Sequence, residues 1–270
     1  MSTYVIGDVH SCWASLKRLI KKLPSEAKIL FIGDLVNRGP ETLKCIRFAM
    51  KMGDQCRMLI GNHELHLLGV AAGVRKLAGK DTLAPIFEAK DCQEILDWVR
   101  FSPLALEKKD CLCVHAAVHP DWTKEDTLLN ARKVESVLQS DDWKDHMHYL
   151  FGKEQWRPNL PRETELQAIC NVLTRTRYLN PDGTMEFKSK LGPQDTDPNL
   201  IPWFEYPDRK TADVKIVFGH WSTLGPVDYP NIYPTDTGCL WGGQLSALKL
   251  SKKMKYTRVE CPLYLSPKEA

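Results

Sequence analysis

The sequence contains five short apolar runs, and each run ends in a turn that carries polar side chains. The runs cover residues 4–6, 29–32, 57–60, 111–114 and 214–218. Runs of this length bounded by turn residues are typical of buried β-strands. The turns that follow begin with glycine or histidine and bear Asp, His, Asn or Arg, in the segments 7–10, 33–40, 61–64, 115–117 and 219–221. The pattern therefore predicts five buried strands with polar loops at their carboxyl ends.

Between these runs, apolar residues follow a helical spacing. Leu16, Leu19 and Leu23 form one apolar stripe, and residues 43–50 and 65–68 give two more, so we expect a helix after each of the first three strands. Residues 73–103 are predicted to be helical. Residues 121–180 are more charged and aromatic, and we interpret them as an inserted helical region. Residues 245–250 and 255–259 predict a hairpin.

The alternation of strands and helices predicts an α/β fold, and the length suits one catalytic domain over residues 1–270. With 43% hydrophobic residues, the chain can bury a substantial core. It has no run of about 18 apolar residues, and residues 1–3 lead straight into a strand, so we expect a cytoplasmic protein with no membrane partner. The nine cysteines lack paired metal-type spacing and are expected to be reduced, buried thiols. A net charge of +3 does not by itself indicate nucleic-acid binding.

The polar loops are expected to form one site. In open α/β sheets, the loops at the carboxyl ends of the strands converge on one crevice. Mixed oxygen and nitrogen ligands suit manganese, iron, cobalt or zinc, and two ions about 3.5–4 Å apart are the usual arrangement for hydrolysing phosphate esters. The pattern therefore predicts a dinuclear phosphohydrolase. Its candidate metal ligands are Asp8, His10, Asp34, Asn62, His115 and His220.

Other polar residues near these loops have both a functional and a structural interpretation. Arg38 lies in the same turn as Asp34 and has the guanidinium that phosphate sites favour, although a surface arginine fits such a loop as well. His63 is a titratable proton carrier. Arg175 and Arg177 alternate after a predicted helix, so one of them could face a phosphate, while solvated or ion-paired arginines are an equal alternative.

Two further histidines are weaker candidates. His119 competes with His115 as a ligand, but it lies farther from the strand end and precedes a proline. His66 lies among leucines at the start of a helix, so we expect it to pack or to face solvent and leave it out of the site.

Together the five junctions resemble the motifs of a known family. Nearly the whole chain is similar to the calcineurin-like metallophosphoesterases, in their phosphoprotein phosphatase branch, and within that branch to the bacterial symmetrical bis(5'-nucleosyl)-tetraphosphatases. Residues 62–68, 218–221 and 236–243 are the most specific parts of the match. The motifs that carry the resemblance are Gly7-Asp8-Val9-His10, Gly33-Asp34 with Arg38-Gly39, Gly61-Asn62-His63-Glu64, His115 and Gly219-His220.

The resemblance implies an αββα sandwich of two mixed β-sheets with an inserted helical region. It also implies two divalent metal ions, for which we expect manganese, with cobalt, iron or zinc as alternatives. Asp34 would bridge the two ions. The first ion would be held by Asp8, His10 and Asp34, and the second by Asp34, Asn62, His115 and His220.

The activity implied by the resemblance is the conversion of diadenosine tetraphosphate to two ADP by metal-activated water. Dinucleoside polyphosphates are thus the expected partners, with 5'-capped RNA ends as a second candidate, and no obligate protein partner is expected. Arg38 would neutralise phosphate oxygens, Arg175 or Arg177 would assist, and His63 would protonate the leaving oxygen. Trp241 would stack on a nucleobase, although core packing in its glycine-rich turn is an equal alternative.

The chain departs from the wider family pattern at four positions. Ser11 and Ala117 replace glycines, so the turns there must avoid positive φ or tolerate its strain. Glu64 is typical of protein phosphatases, where the tetraphosphatases often have Asp. Asn37 replaces the aspartate with which protein phosphatases orient the histidine at His63. What orients His63 in this chain is therefore open.

Two other functions remain as alternatives. A serine/threonine protein phosphatase would share the metals and the chemistry, but Asn37 and the Trp241-Gly242-Gly243 turn are evidence against it. A non-catalytic RNA-binding module would rely on basic charge and would leave six ligand-type residues unexplained.

Overall fold

The structure is a computed structural model that describes residues 1–265. Its first sheet has five strands in the order β12-β11-β1-β2-β3. The strands β1, β2 and β3 are parallel, and β11 and β12 are antiparallel to their neighbours, so the sheet is mixed. The five strands are β1 (Thr3–Ile6), β2 (Lys28–Phe31), β3 (Cys56–Met58), β11 (Gln244–Leu250) and β12 (Lys255–Glu260).

The second sheet has four strands in the order β10-β9-β5-β4. The strands β5, β9 and β10 are parallel, and β4 is antiparallel to β5. The strands β5 and β9 were predicted from their apolar runs, whereas β4 and β10 were missed. The four strands are β4 (Ala105–Lys108), β5 (Cys111–Val114), β9 (Lys215–Phe218) and β10 (Ile232–Pro234).

The two sheets pack face to face. Alternate residues of each strand point to opposite sides, so one set lies between the sheets and the other set faces the helices. In β1, Val5 belongs to a small core cluster between the sheets, together with Leu30 of β2 and Val217 of β9. Its neighbours Tyr4 and Ile6 belong to the larger cluster that the helices cover. The strands are therefore buried on both faces, as continuous apolar runs predict.

Helices cover the two outer faces. Helix α1 (Trp13–Ile20) packs on β11 and β12 through Leu16 and Leu19, and burial of each leucine contributes about 1.5–3 kcal/mol. Helix α6 (Lys124–Leu138) packs on β4 and on α8 (Arg162–Arg175). This arrangement confirms the predicted αββα sandwich of two mixed sheets. The other helices are α2 (Thr42–Lys51), α3 (Asn62–Ala71), α4 (Ala84–Glu88), α5 (Cys92–Arg100) and α7 (Trp143–His146).

The predicted inserted region does hold the helices α6, α7 and α8. A third, three-stranded sheet in the order β7-β6-β8 follows it, which the sequence pattern did not predict. The turn at Gly183, with φ +83°, joins β6 (Tyr178–Leu179) to β7 (Met185–Glu186), and its Pro-Asp-Gly sequence is typical of such a reversal. Strand β8 covers Ile201–Pro202.

The prediction of continuous helix over residues 73–103 was wrong in its first part. Residues 72–83 form a loop between α3 and α4, and helix resumes only at α4 and α5. Gly73 ends the preceding helix with φ +75°, a conformation that glycine adopts without the steric cost of a side chain. This loop reaches the site described below. Among the described residues, no helix is long and apolar enough to cross a membrane.

Candidate metal centre

The polar loops at the ends of β1, β2, β3, β5 and β9 converge as predicted. The backbone N–H of His10 donates to the Asp34 carbonyl at 2.8 Å, which joins the loop after β1 to the loop after β2. The backbone N–H of His220 donates to both carboxylate oxygens of Asp8 at 3.0 and 3.1 Å, which joins the two sheets. His115 Nε2 lies 3.4 Å from Asp34 Oδ2. The crevice thus lies where both sheets present their carboxyl ends.

Asp34 lies at the centre of the crevice, between two groups of side chains that could hold a metal ion. One group is Asp34 with His10 and His63, and the other is Asp34 with His115 and His220. Within each group the ligand-type atoms lie within 4.8 Å of one another. Asp34 Oδ2 is 3.9 Å from His10 Nε2, 4.0 Å from His63 Nε2 and 3.4 Å from His115 Nε2. One carboxylate is therefore shared by two ligand groups.

Backbone carbonyls fix the proton positions of two of these histidines. His115 Nδ1 donates to the Ile32 carbonyl at 3.0 Å, and His220 Nε2 donates to the Arg175 carbonyl at 3.1 Å. A carbonyl oxygen can only accept, so the proton of each ring must lie on that nitrogen. His115 Nε2 and His220 Nδ1 therefore point toward Asn62 and Asp34, where each can offer a lone pair to a bound cation. This orientation by outer partners is what metal-ligating histidines require.

The side chain of Asn62 tests whether a cation fits. Its amide nitrogen faces the centre, 2.9 Å from His220 Nδ1, 3.2 Å from His115 Nε2 and 3.2 Å from Asp34 Oδ2. A half-turn of the amide brings its oxygen to the same position, where a cation can replace the amide hydrogens among these acceptors. The set of carboxylate, imidazole and amide oxygen donors therefore fits a divalent metal ion.

The charges of the site lead to the same conclusion. Burial lowers the pKa of His115, but the negative charges of Asp34, Asp8 and Glu64 outweigh burial and raise this pKa to about 9. Burial would raise the pKa of Asp34, but the positive charges of His115 and His63 hold it well below its usual range. The buried carboxylates thus favour a positive charge at the centre of the crevice.

Asp8 is also buried, and it lies beside His10 and Asp236. Its Oδ2 lies 3.9 Å from His10 Nε2, and burial together with the charge of Asp236 raises its pKa. Gly219 leaves room for this carboxylate, because a Cβ there would collide with Asp8 Oδ1 and with the Ile32 side chain. The close approach of β9 to Asp8 therefore requires glycine.

The backbone of the site is strained. His10, Asp34 and His220 have φ values of 47°, 49° and 64°, in the left-handed region that non-glycine residues rarely adopt. Each such residue costs of order 1–3 kcal/mol. Of the two positions where glycine is replaced, Ser11 tolerates the strain at φ 60°, and its Oγ bonds Thr42 Oγ1 at 2.7 Å. The other position, Ala117, avoids positive φ.

The arginines differ in their placement. Arg38 Nη1 and Arg177 Nε are buried and have no hydrogen-bond partner within residues 1–265. Arg177 Nη2 donates to the His220 carbonyl at 3.0 Å, which fixes this side chain beside the metal ligands. Arg175 instead uses Nη1 to bond the Gly152 carbonyl at 2.7 Å, in the inserted region.

Trp241 lies in its predicted turn. Its backbone N–H donates to the Gly238 carbonyl at 3.0 Å, and the residue pairs with Leu263 in an isolated bridge. The ring is partly buried against the large core cluster. A contact with a nucleobase stays a prediction.

Two acidic residues near the centre were not predicted to be functional. Glu64 is fully buried and accepts four backbone N–H groups, from Asp34 at 2.8 Å, Gly61 at 2.9 Å, Leu35 at 2.9 Å and Val36 at 3.2 Å. It clamps the loop that carries Asp34 to the start of α3. Its position three residues after Gly61 is a helix-start signal that the sequence does contain.

The second missed residue is Asp81, which lies in the loop 72–83. Its Oδ1 accepts from Asn37 Nδ2 at 2.9 Å and lies 3.7 Å from Arg38 Nη1. Its Oδ2 lies 2.7 Å from His66 Nε2, so His66 is tied to the site through this carboxylate instead of being a simple packing residue. No sequence pattern indicates this contact, because it joins residues 44 positions apart.

His119 lies away from both ligand groups. It is buried against Trp122 and Trp156, with ring centroids 5.8 and 4.6 Å away, and its Nδ1 accepts the Asp121 N–H. Burial lowers its pKa to about 4. Its placement agrees with the preference for His115 as the ligand.

Known proteins resemble this chain over nearly its full length. A family model for calcineurin-like phosphoesterases matches residues 1–221. Symmetrical bis(5'-nucleosyl)-tetraphosphatases from Janthinobacterium sp. (strain Marseille) and Acidovorax sp. (strain JS42) are each 42% identical to it. The first match covers 99% of both chains, and the second covers 97% of this chain and 98% of the relative.

Comparison with solved structures concerns the fold. A cold-active protein-tyrosine phosphatase from a psychrophilic Shewanella species superposes with a TM-score of 0.58 at 16% identity, over 96% of this chain and 80% of that one. The fold and the relatives confirm the family that the sequence motifs implied. The chain belongs to the calcineurin-like phosphoesterases and, within them, to the family of the symmetrical bis(5'-nucleosyl)-tetraphosphatases.

Proposed function

We propose that this protein hydrolyses diadenosine tetraphosphate to two ADP. The names of the relatives at 42% identity support this substrate. The observation that carries the chemistry is the position of Asp34, whose carboxylate is shared by two groups of ligand-type side chains. A shared carboxylate is the arrangement that a two-metal phosphohydrolase needs.

The proposed ligands are those predicted from the sequence. Asp8, His10 and Asp34 would hold one divalent ion, and Asp34, Asn62, His115 and His220 would hold the other. Oxygen and nitrogen donors without thiolate suit manganese, cobalt, iron or zinc, and manganese is the metal that we expect. When bound, the two ions supply a water of lowered pKa and polarise the phosphate that is attacked. His63 Nε2 lies as close to Asp34 as His10 Nε2 does, so the ring also faces this centre.

The remaining side chains bind the polyphosphate and move a proton. Arg38, whose side chain is 28% exposed, and Arg177, which is fixed beside the ligands by its bond to the His220 carbonyl, would bind equatorial phosphate oxygens. Arg177 is the better of the two predicted candidates, because its bond to the His220 carbonyl holds it beside the ligands, whereas Arg175 bonds the Gly152 carbonyl in the inserted region. His63 presents Nε2–H to the leaving oxygen. Trp241 would stack on one adenine.

The state of the cysteines supports a cytoplasmic location. All nine cysteines are free thiols, and eight of them are buried. Free thiols persist where the cell keeps proteins reduced.

The experiment that tests the function is a product analysis in H₂¹⁸O. Manganese-loaded protein and diadenosine tetraphosphate should give two ADP molecules per turnover, one with label on its terminal phosphate and one without. EDTA should abolish the reaction. Initial formation of AMP and ATP would refute the symmetrical cleavage. Parallel assays with capped RNA and a phosphopeptide test the two alternative substrates, and faster turnover of either would displace the dinucleotide as the main substrate.

A further inference from the structure

A polar network lies behind His63 and Arg38, on the side away from the proposed metals. We propose that Asp81 is a positioning residue that sets the ring of His63 through the Asn37 amide and holds the guanidinium of Arg38 directly. This inference rests on the proposed function for the roles of His63 and Arg38. It identifies what orients the ring of His63, a question that the replacement of the family's aspartate by Asn37 leaves open.

The orientation of the Asn37 amide is fixed by its backbone partners. Its Oδ1 accepts the backbone N–H of Arg38 at 2.8 Å and that of Thr82 at 2.9 Å. Both partners can only donate, so the amide oxygen must face them and the nitrogen must face the other way. The residue is fully buried, and its φ of 74° commits the turn to this geometry. The amide therefore cannot rotate without orphaning two buried N–H groups.

The amide nitrogen then dictates the proton position on His63. Asn37 Nδ2 lies 3.0 Å from His63 Nδ1 and 2.9 Å from Asp81 Oδ1, and its two hydrogens serve one partner each. Because Nδ2 only donates, His63 Nδ1 must accept. The ring proton consequently lies on Nε2, the nitrogen 4.0 Å from Asp34 Oδ2 and on the side of the proposed leaving group. An aspartate at position 37 would accept from Nδ1 and would place a proton there.

Asp81 accepts the second hydrogen of this amide nitrogen. Its side chain is 1% exposed, so its partners are few and defined. Besides Asn37, it accepts from His66 Nε2 and from the Ala78 N–H, each at 2.7 Å, and these bonds fix the carboxylate from its other side. Arg38 Nη1 lies 3.7 Å from Asp81 Oδ1, close enough for charge attraction. One carboxylate thus orients both side chains proposed to contact the phosphate.

A purely structural role for Asp81 makes different predictions. The same bonds also close the loop 72–83 against α3, so loss of the carboxylate could simply loosen that loop. A loosened loop would lower stability without changing which nitrogen of His63 carries the proton. Exchanging the amide and the carboxylate between positions 37 and 81 separates the two roles.

The experiment uses D81N, N37D and the exchanged double variant N37D/D81N, with D91N as a matched control. Asp91 forms an exposed pair with Arg47 and belongs to no part of the network, so D91N should match the wild type. N37D brings two carboxylates within about 3 Å, and D81N removes the negative partner. Each single change should lower kcat on diadenosine tetraphosphate by about 10–100-fold, the usual effect of an outer partner. The double variant restores one carboxylate and one amide and should regain stability, but with the ring proton on Nδ1 it should turn over diadenosine tetraphosphate no faster than N37D.

Two readouts separate positioning from loop closure. Nitrogen-15 NMR of the histidine rings in metal-free protein should show His63 protonated on Nε2 in the wild type and on Nδ1 in the double variant. The kcat losses should be smaller for p-nitrophenyl phosphate, whose leaving group needs no proton. A double variant as fast as the wild type on diadenosine tetraphosphate, an Nδ1 proton in the wild type, or equal losses on both substrates would overturn the proposal. If the wild type makes no ADP from the dinucleotide, the proposed function fails, but the NMR result still decides the orientation of His63.

Discussion

The clamp formed by Glu64 gives the sharpest prediction about stability. The change is E64Q, which keeps the shape of the side chain and replaces one carboxylate oxygen by an NH₂ group. Glu64 Oε1 accepts from Leu35 and Val36, and Oε2 accepts from Asp34 and Gly61. A glutamine can keep one of these pairs with its oxygen. Its amide nitrogen then faces the other two N–H groups and cannot bond them.

The size of the effect follows from this count. Two buried N–H groups without acceptors cost about 2–6 kcal/mol together. The neutral amide is less costly to bury than a carboxylate, which offsets part of the loss, so we expect a net loss of about 3 kcal/mol. For a chain of this size that corresponds to a fall in Tm of roughly 6–12 °C. Because the lost bonds hold Asp34, metal affinity should fall by about 10–100-fold as well.

Equilibrium unfolding in urea with EDTA measures the first effect, and manganese titration measures the second. The matched control is E135Q. Glu135 accepts the Leu104 N–H at 2.8 Å, and a glutamine oxygen can keep that bond. Its free energy of unfolding should change by less than about 1 kcal/mol, with unchanged activity. Equal stability of E64Q and the wild type, or an equal loss in E135Q, would refute the reasoning.

Three further changes test other parts of the structure. D34N removes the shared carboxylate and should lower turnover by at least about 10³-fold with the fold intact by circular dichroism, and normal turnover with two bound metals would refute the site. G61A would place a Cβ 2.7 Å from the Asp34 nitrogen and 2.9 Å from His115 Cε1, so we expect a loss of about 1–3 kcal/mol in urea unfolding together with weaker metal binding. Burial lowers the pKa of His119 from 6.5 to about 4, so the neutral ring contributes stability that is full above pH 6.5 and is lost as pH falls toward 4. H119Q should remove up to about 3 kcal/mol of that acid dependence, and an unchanged pH profile of unfolding would contradict it.

The elements that the sequence predicted well are those buried on both sides. Strands β1, β2, β5 and β9 are continuous apolar runs because helices cover one face of each sheet and the other sheet covers the second face. Strand β4 was missed because Glu107 and Lys108 are exposed at its end, which interrupts the apolar pattern. The strands of the third sheet have two residues each, too short for any periodicity.

For the site as well, the sequence predicted some residues and missed others. The candidate ligands directly follow strands, so chain position alone placed them together. Asp81 was missed because only tertiary contacts bring its loop to Asn37. The residues around that loop have a helical spacing of apolar positions, and glycines within the loop interrupt the helix. The prediction over residues 73–83 was wrong because it followed the spacing and did not give weight to these glycines. Hydrophobic periodicity indicates which residues are buried, but it does not indicate which loop packs over which strand.

The pairing of β1 with β11 has a consequence for the synthesis of the chain. Thr3 pairs with Leu250 and Ile6 with Ala247, so the first strand borders one of the last. A ribosome that adds about 5–20 residues per second needs on the order of ten to fifty seconds to release that partner. Throughout this time the edge of β1 that later pairs with β11 has no neighbouring strand. The nascent protein therefore offers an unpaired strand edge to other chains, and slower translation or loss of the last strands should increase aggregation before any loss of catalysis is seen.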